Sequence, residues 1–206
     1  MIKEGTKIVL IDRTLDGVDC PMVTTDNIEV GALATEHLIK LGHERIGHLR
    51  GTATSTSRER LEGYKQALSR NSIALDKTLI KECGLMESDG YSAMKQWIGE
   101  GDLPTAVFAV NDPAAIGAMQ ALTESGIKIG EDLAIVGGGN IHYGDMLSVP
   151  LSTVSWSRGE MGQAAARLLI KMIEANGGDA GHQKVILSPH LVVRKSCGSK
   201  HATSAT

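Results

Sequence analysis

Residues 104–125, PTAVFAVNDPAAIGAMQALTES, constrain the fold more than any other part of the chain. Residues 106–110 are an unbroken apolar run, the length and composition of a strand buried on both faces. Asn111-Asp112-Pro113 breaks it. Pro113 fits the first turn of a helix, and Asp112 before it fits the cap. Ile116, Met119, Ala121 and Leu122 then recur at helical spacing until Gly126 stops the run. A strand buried on both faces belongs in a parallel sheet with helices on each side. Such sheets bind ligands at the carboxyl ends of their strands. Asn111 and Asp112 stand at such an end, an amide that both donates and accepts beside a carboxylate.

The rest of the chain repeats this alternation. A strand over 7–12 ends in Asp12, and a second covers 18–24. Asp26 and Glu29 have capping-box spacing and open a helix that runs to Leu41. A strand at 45–49 leads to a helix at 57–68, with Ser57 as its cap. Further strands are expected at 79–83 and 133–137, the latter ended by Gly137-Gly138-Gly139, and helices at 91–98 and 158–175. Two short strands, 184–187 and 190–194, close the fold. The order predicts an α/β chain with doubly wound, largely parallel sheets. Polar links at 24–26 and 155–157 read as crossings between two lobes. Residues 1–24 with 157–176 would form a partial first lobe, and 25–156 with 177–197 the second. Residues 198–206 read as a disordered tail. A lone apolar strand at 7–12 needs neighbours, so the first lobe is expected to be incomplete in this chain.

Composition excludes several functions. The formal net charge is −3 over 206 residues and no basic stripe occurs, so this chain carries no nucleic-acid footprint of its own. No apolar run reaches a membrane span, and the N-terminus has no secretion-signal pattern. Cys20, Cys83 and Cys197 are odd in number, far apart and form no CxxC, which predicts reduced thiols in a cytoplasm. His37, His43 and His48 lack a metal-ligand spacing, so no metal or cofactor is expected. The triple glycine has no lysine–serine pair after it and reads as a tight turn. No GxSxG elbow or supported Cys–His pair suggests an enzyme.

Several blocks in order, IVLIDR, HLIKLGHERIGHLRG, RERLEGYKQAL, PTAVFAVNDPAAIGAM, EDLAIVG, PLSTVS, EMGQAAARLL and LVVRKSC, resemble one family. They are similar to the effector-binding core of the lactose/galactose-repressor (LacI/GalR) regulators. The resemblance implies a periplasmic-binding-protein-like type I fold of two doubly wound lobes, here without a helix-turn-helix head and without the first part of the N-terminal lobe. It implies ligand-binding roles for Asp12, Arg60 and Asn111. The family's fourth site position, an aspartate, falls on Gly139, and Asn140 or His142 would replace it only in part. The family's stacking aromatic falls at Leu85, with Tyr143 and Trp156 as alternatives. Arg13 would bind ligand or pair across the mouth, and Arg60 could instead pair with Glu59 or Glu62. The implied partners are a small effector (sugar, sugar phosphate or purine) and a second copy of the chain, met through the helix at 114–125 and the segment after it. Operator DNA would be reached only through the absent head, and no membrane is involved. The rival readings are a periplasmic sugar-binding protein of an ABC transporter, and an enzyme using Asp12 or Asp112.

Overall fold

The computed structural model describes residues 6–15, 17–174 and 183–199. Among these, two separate sheets form. The larger contains β3 (Ile46–Arg50), β4 (Ile80–Glu82), β5 (Ala106–Ala109), β6 (Ala134–Gly138), β7 (Ser152–Ser155) and β9 (His190–Val192). Its order is β4-β3-β5-β6-β7-β9, parallel throughout except for β9, which runs antiparallel beside β7.

Two helices cover each face of this sheet. α1 (Asn27–Lys40) and α2 (Ser55–Arg70) bring Val30, Leu38, Tyr64 and Leu68 onto Ile46, Phe108 and Val136. α3 (Glu87–Glu100) and α4 (Asp112–Glu124) bring Met94, Trp97, Ala118 and Leu122 onto Leu49, Val107 and Ile135. The alternation within β5, Phe108 to one side and Val107 to the other, is why its apolar run is unbroken. The helices of each pair touch backbone to backbone. A Cβ on Gly63 of α2 would lie 1.9 Å from the Ile28 carbonyl oxygen, and one on Gly117 of α4 would lie 1.8 Å from that of Glu87. Only glycine permits that approach, and it fixes how α2 lies on α1.

The smaller sheet is β1 (Leu10–Ile11), β2 (Met22–Thr25) and β8 (Lys184–Leu187), all parallel in the order β1-β2-β8. α5 (Arg158–Glu174) packs Met161, Ala165 and Leu168 on Val23, with Val185 and Leu187 beside them. The sequence expectation put 177–197 wholly with the larger unit, and β8 corrects it. Val185 and Leu187 face α5, and the strand pairs with β2 over four registered residues. A third link therefore joins the sheets, between β8 and β9. It is held by Thr25, whose hydroxyl donates to the Leu187 carbonyl at 2.8 Å.

The helix starts agree with the sequence in one case and differ in two. Asp26 caps α1 by accepting from the Glu29 N–H at 2.9 Å, as its spacing predicts. α2 is capped by Thr54 rather than Ser57, which is buried inside the first turn. α4 is capped by Asn111 rather than Asp112. At the C-terminal end, Gly198 stops a short 3-10 turn at Lys195–Cys197 and lies against Gly130, so the disorder expected from 198 onward does not hold at Gly198. Residues 200–206, like 175–182, lie outside the described residues.

Candidate functional site

After β3 the chain moves outward to β4 and then returns to β5 on the other side of β3. The loops leaving β3 and β5 diverge at that point, which is where an open parallel sheet forms a crevice. A hollow of about 260 Å³ lies there, between the ends of the larger sheet and residues of the smaller one. That volume is just under the usual range for ligand pockets and suits a small molecule.

The larger sheet supplies a wall whose polar groups are tied to the protein. Arg60, on α2, is only 5% exposed. Its Nε donates to Asn27 Oδ1 at 3.0 Å and its Nη1 to the Val110 carbonyl at 2.7 Å. Trp156 lies under the guanidinium, 5.0 Å from carbon to ring centroid, within cation–π range. Burial lowers the Arg60 pKa to about 10, opposed by the nearby charges of Asp12 and Asp112. The side chain therefore stays protonated at neutral pH.

Asn111 accepts from the Ala114 N–H at 2.9 Å and donates to the Leu85 carbonyl at 2.8 Å. Its amide is locked in one orientation, with one N–H and one lone pair left over. Asp112 is 1% exposed, and both its oxygens are engaged. Oδ1 accepts from the Thr153 hydroxyl and Oδ2 from the Ile141 N–H, each at 2.6 Å. Burial raises its pKa, while these two donors and the charges of Arg158 and Arg194 oppose the rise. A Cβ on Gly137 would lie 2.3 Å from Asp112 Oδ1, so glycine there makes room for this carboxylate. Asp112 thus fastens the loop after β6 to the start of α4.

The smaller sheet supplies a wall with few such ties. Asp12 follows β1 at φ +74, a left-handed conformation unusual for a non-glycine residue. The Thr24 hydroxyl holds its backbone carbonyl at 2.8 Å, but its carboxylate makes no hydrogen bond or ion pair among the described residues. Arg13 beside it is exposed, and its guanidinium is equally unengaged. The two walls meet where the Thr14 N–H donates to Ser55 Oγ at 3.0 Å. Arg158, the first residue of α5, reaches across and donates to the Gly139 carbonyl.

Of the residues named from sequence, Asp12, Arg13, Arg60, Leu85, Asn111 and Gly139 all line the hollow. Asn140 does not. Its Oδ1 accepts from Arg194 Nη2 at 2.9 Å, which turns the side chain away. His142 and Tyr143 stack edge-on to one another and also lie outside the lining, leaving Trp156 as the aromatic at the hollow. Leu85 contributes an apolar surface and the carbonyl that orients Asn111. Sequence reasoning missed Arg158 and read Asp112 as a helix cap, with a chemical role only in the rival enzyme reading. Arg158 carries one usable signal, its place just past the apolar-polar stretch that ends β7.

Residues 35–197 match the periplasmic binding protein-like domain family. The chain belongs to that family. Within it, the chain is of the LacI/GalR type. It is 34% identical over 190 residues to the HTH-type transcriptional repressor PurR of Mannheimia succiniciproducens, covering 92% of this chain and 56% of that protein. Its fold superposes with a TM-score of 0.85 on the transcriptional regulator CelR in complex with cellobiose, at 31% identity, covering 91% of this chain and 58% of the other. A LacI-family regulator from Enterococcus faecium with bound ribose gives 0.83 at 28% identity, covering 91% and 69%. The chain spans little more than half the length of the PurR relative. Among the described residues no helix is long and apolar enough to cross a membrane, and no group of three or more His, Cys, Asp or Glu side chains could hold a metal ion.

Proposed function

We propose that this chain is the effector-sensing part of a LacI/GalR-type transcriptional regulator, with the hollow as the effector site. One observation carries this: Asp12 and Arg13 from one sheet and Arg60 and Asn111 from the other converge on a single space between two separately packed units. β1, β2, α5 and β8 act as one lobe and the remaining elements as the other. A small molecule that touches both lobes binds one inter-lobe angle better than another and shifts the population toward it. In a regulator with a DNA-binding head, that angle sets how far apart two heads sit on their half-sites. Relatives with cellobiose or ribose bound support a hydroxyl-rich effector. The role places the protein in the cytoplasm.

The chain pairs with a second copy through α4 and the segment after it. There Ile116, Met119 and Leu147 line an apolar groove, and Met146 beside it is 80% exposed. Sedimentation of wild type against Met119→Glu checks this. A dimer that becomes a monomer supports the assignment, and an unchanged dimer moves the interface elsewhere.

A regulator is favoured over a transporter component because the matched relatives are transcriptional repressors and regulators. A melting screen with sugars, sugar phosphates and purines tests the site. The effector is expected to raise the melting temperature of wild type and to leave Asn111→Ala unshifted. An equal shift in both proteins would remove the hollow from consideration.

A further inference from the structure

The formal charge of the side chains around the hollow is positive. Three arginines and two aspartates line it, in a chain whose formal net charge is −3. Asp112 is already committed to Thr153 and Ile141. Among the described residues the Asp12 carboxylate has no protein donor, while Arg60 and Arg158, which line the same hollow with Arg13, already donate to Asn27, Val110 and Gly139 and keep further N–H groups for a ligand. Arg60 is only 5% exposed, and its bonds to Asn27 and Val110 use Nε and Nη1, which leaves Nη2 for a ligand.

The arginines are also placed together. A Cβ on Gly138 would lie 3.5 Å from Arg60 Nη1, and one on Gly139 would lie 3.3 Å from Arg158 Nη2. Two guanidinium groups therefore stand over consecutive glycines with no side chain between them. The first turns of α2 and α4 and the start of α5 border the same space, through Thr56, Pro113 and Arg158. Helix N-termini carry partial positive charge and unsatisfied N–H groups, which adds to the field of the arginines. A neutral sugar needs acceptors for its hydroxyl protons about as often as donors, and here donors dominate.

We propose that the effector is an anionic, hydroxyl-bearing small molecule, a sugar phosphate or a sugar acid. Its anionic group sits between Arg60 and Arg158 over Gly138 and Gly139, and its hydroxyls turn toward Asp12 and Asn111. Paired guanidinium forks suit the planar or tetrahedral oxygens of carboxylate and phosphate. This rests on the hollow being the effector site.

The test is calorimetric titration of the 206-residue chain with matched sets of hexoses and pentoses. Each sugar is tried as the neutral parent, the phosphate ester and the carboxylic acid, with inorganic phosphate alone as control. At least one anionic member should bind tenfold or more tightly than its neutral parent, and added salt should weaken it. Comparing the phosphate with the acid distinguishes the two sources of charge. Arg158→Ala should bring the anionic member down to the affinity of the parent. A parent that binds as tightly as its anionic forms, an Arg158→Ala protein that keeps the preference, or no anionic binding up to about 10 mM would each overturn the proposal. If a neutral sugar binds and Asn111→Ala abolishes it, the effector site stands and only its anionic character falls. Ligand binding that is indifferent to both Asn111→Ala and Asp12→Ala removes the site itself.

Discussion

The two walls of the hollow are built differently. On the larger-sheet side, Arg60, Asn111 and Asp112 are each held by two hydrogen bonds to the protein before any ligand arrives. On the smaller-sheet side, the side chains of Asp12 and Arg13 have no such partners among the described residues. The first wall is preorganised, so it can recognise a ligand at little entropic cost. The second gains its partners only when something fills the space. A sensor needs both properties. A fixed wall gives selectivity, and an unsatisfied wall gives the difference in affinity between open and closed states that drives a switch.

This contrast predicts opposite consequences for mutations on the two sides. The largest stability effect should come from Arg60→Ala. It leaves the Val110 carbonyl and Asn27 Oδ1 unpaired and opens a void beside Trp156. A loss of about 4 kcal/mol is expected by urea denaturation. A loss under about 1 kcal/mol would mean that this wall is not preorganised.

The next effect concerns pH and lies beneath the same wall. His48 is fully buried in β3, stacked between Tyr64 and Phe108 at 5.2 and 4.8 Å. Its Nδ1 is 2.9 Å from the Phe108 carbonyl and donates to it, while Nε2 has no partner among the described residues. Burial lowers its pKa from 6.5 to about 4, with Arg50 and Arg60 lowering it further and the Phe108 carbonyl opposing. Below 6.5 the unfolded chain takes up a proton that the folded ring refuses until about 4. The contribution is therefore complete above pH 6.5 and is lost as pH falls toward 4, amounting to roughly 3 kcal/mol. Unfolding free energies measured across that window should show the slope in wild type and a flatter one in His48→Leu. Equal slopes would reassign the acid sensitivity to other groups.

On the opposite wall the signs change. Asp12→Gly relieves a left-handed backbone at φ +74 and is expected to leave stability unchanged or raise it by up to about 1 kcal/mol. The same change should weaken the effector at least tenfold by titration. Lower stability with unchanged binding would make Asp12 a structural turn residue. Smallest of all, Arg13→Ala should alter unfolding free energy by no more than about 0.5 kcal/mol while still weakening an anionic ligand. A larger stability loss would show that Arg13 has a structural partner.

The strand and helix alternation was legible in the sequence because it rests on local patterns. The Asp26–Glu29 cap, the double-faced run of β5 and the stop at Gly126 need no distant information. Where long-range contacts decide, the sequence failed. Asn111 and Asp112 are both able to cap a helix. Asp112 is drawn away by Thr153, 41 residues later, which leaves the cap to Asn111. β8 resembles a partner for β9, yet its neighbour β2 lies far back in the chain. Arg60 could be read as a ligand residue from resemblance, but nothing local announces its burial, because its partners Asn27 and Val110 come from other elements. Arg158 acts through a backbone carbonyl that no sequence pattern marks.

The most direct test of the central claim is a map of backbone amide chemical-shift changes as the stabilising ligand from the titration panel is added. A molecule held between the two walls should give its largest shifts at 12–13, 110–112, 138–141 and 156–158, saturating together at one midpoint. Shifts confined to α4 and its apolar groove, with those four segments silent, would contradict the account.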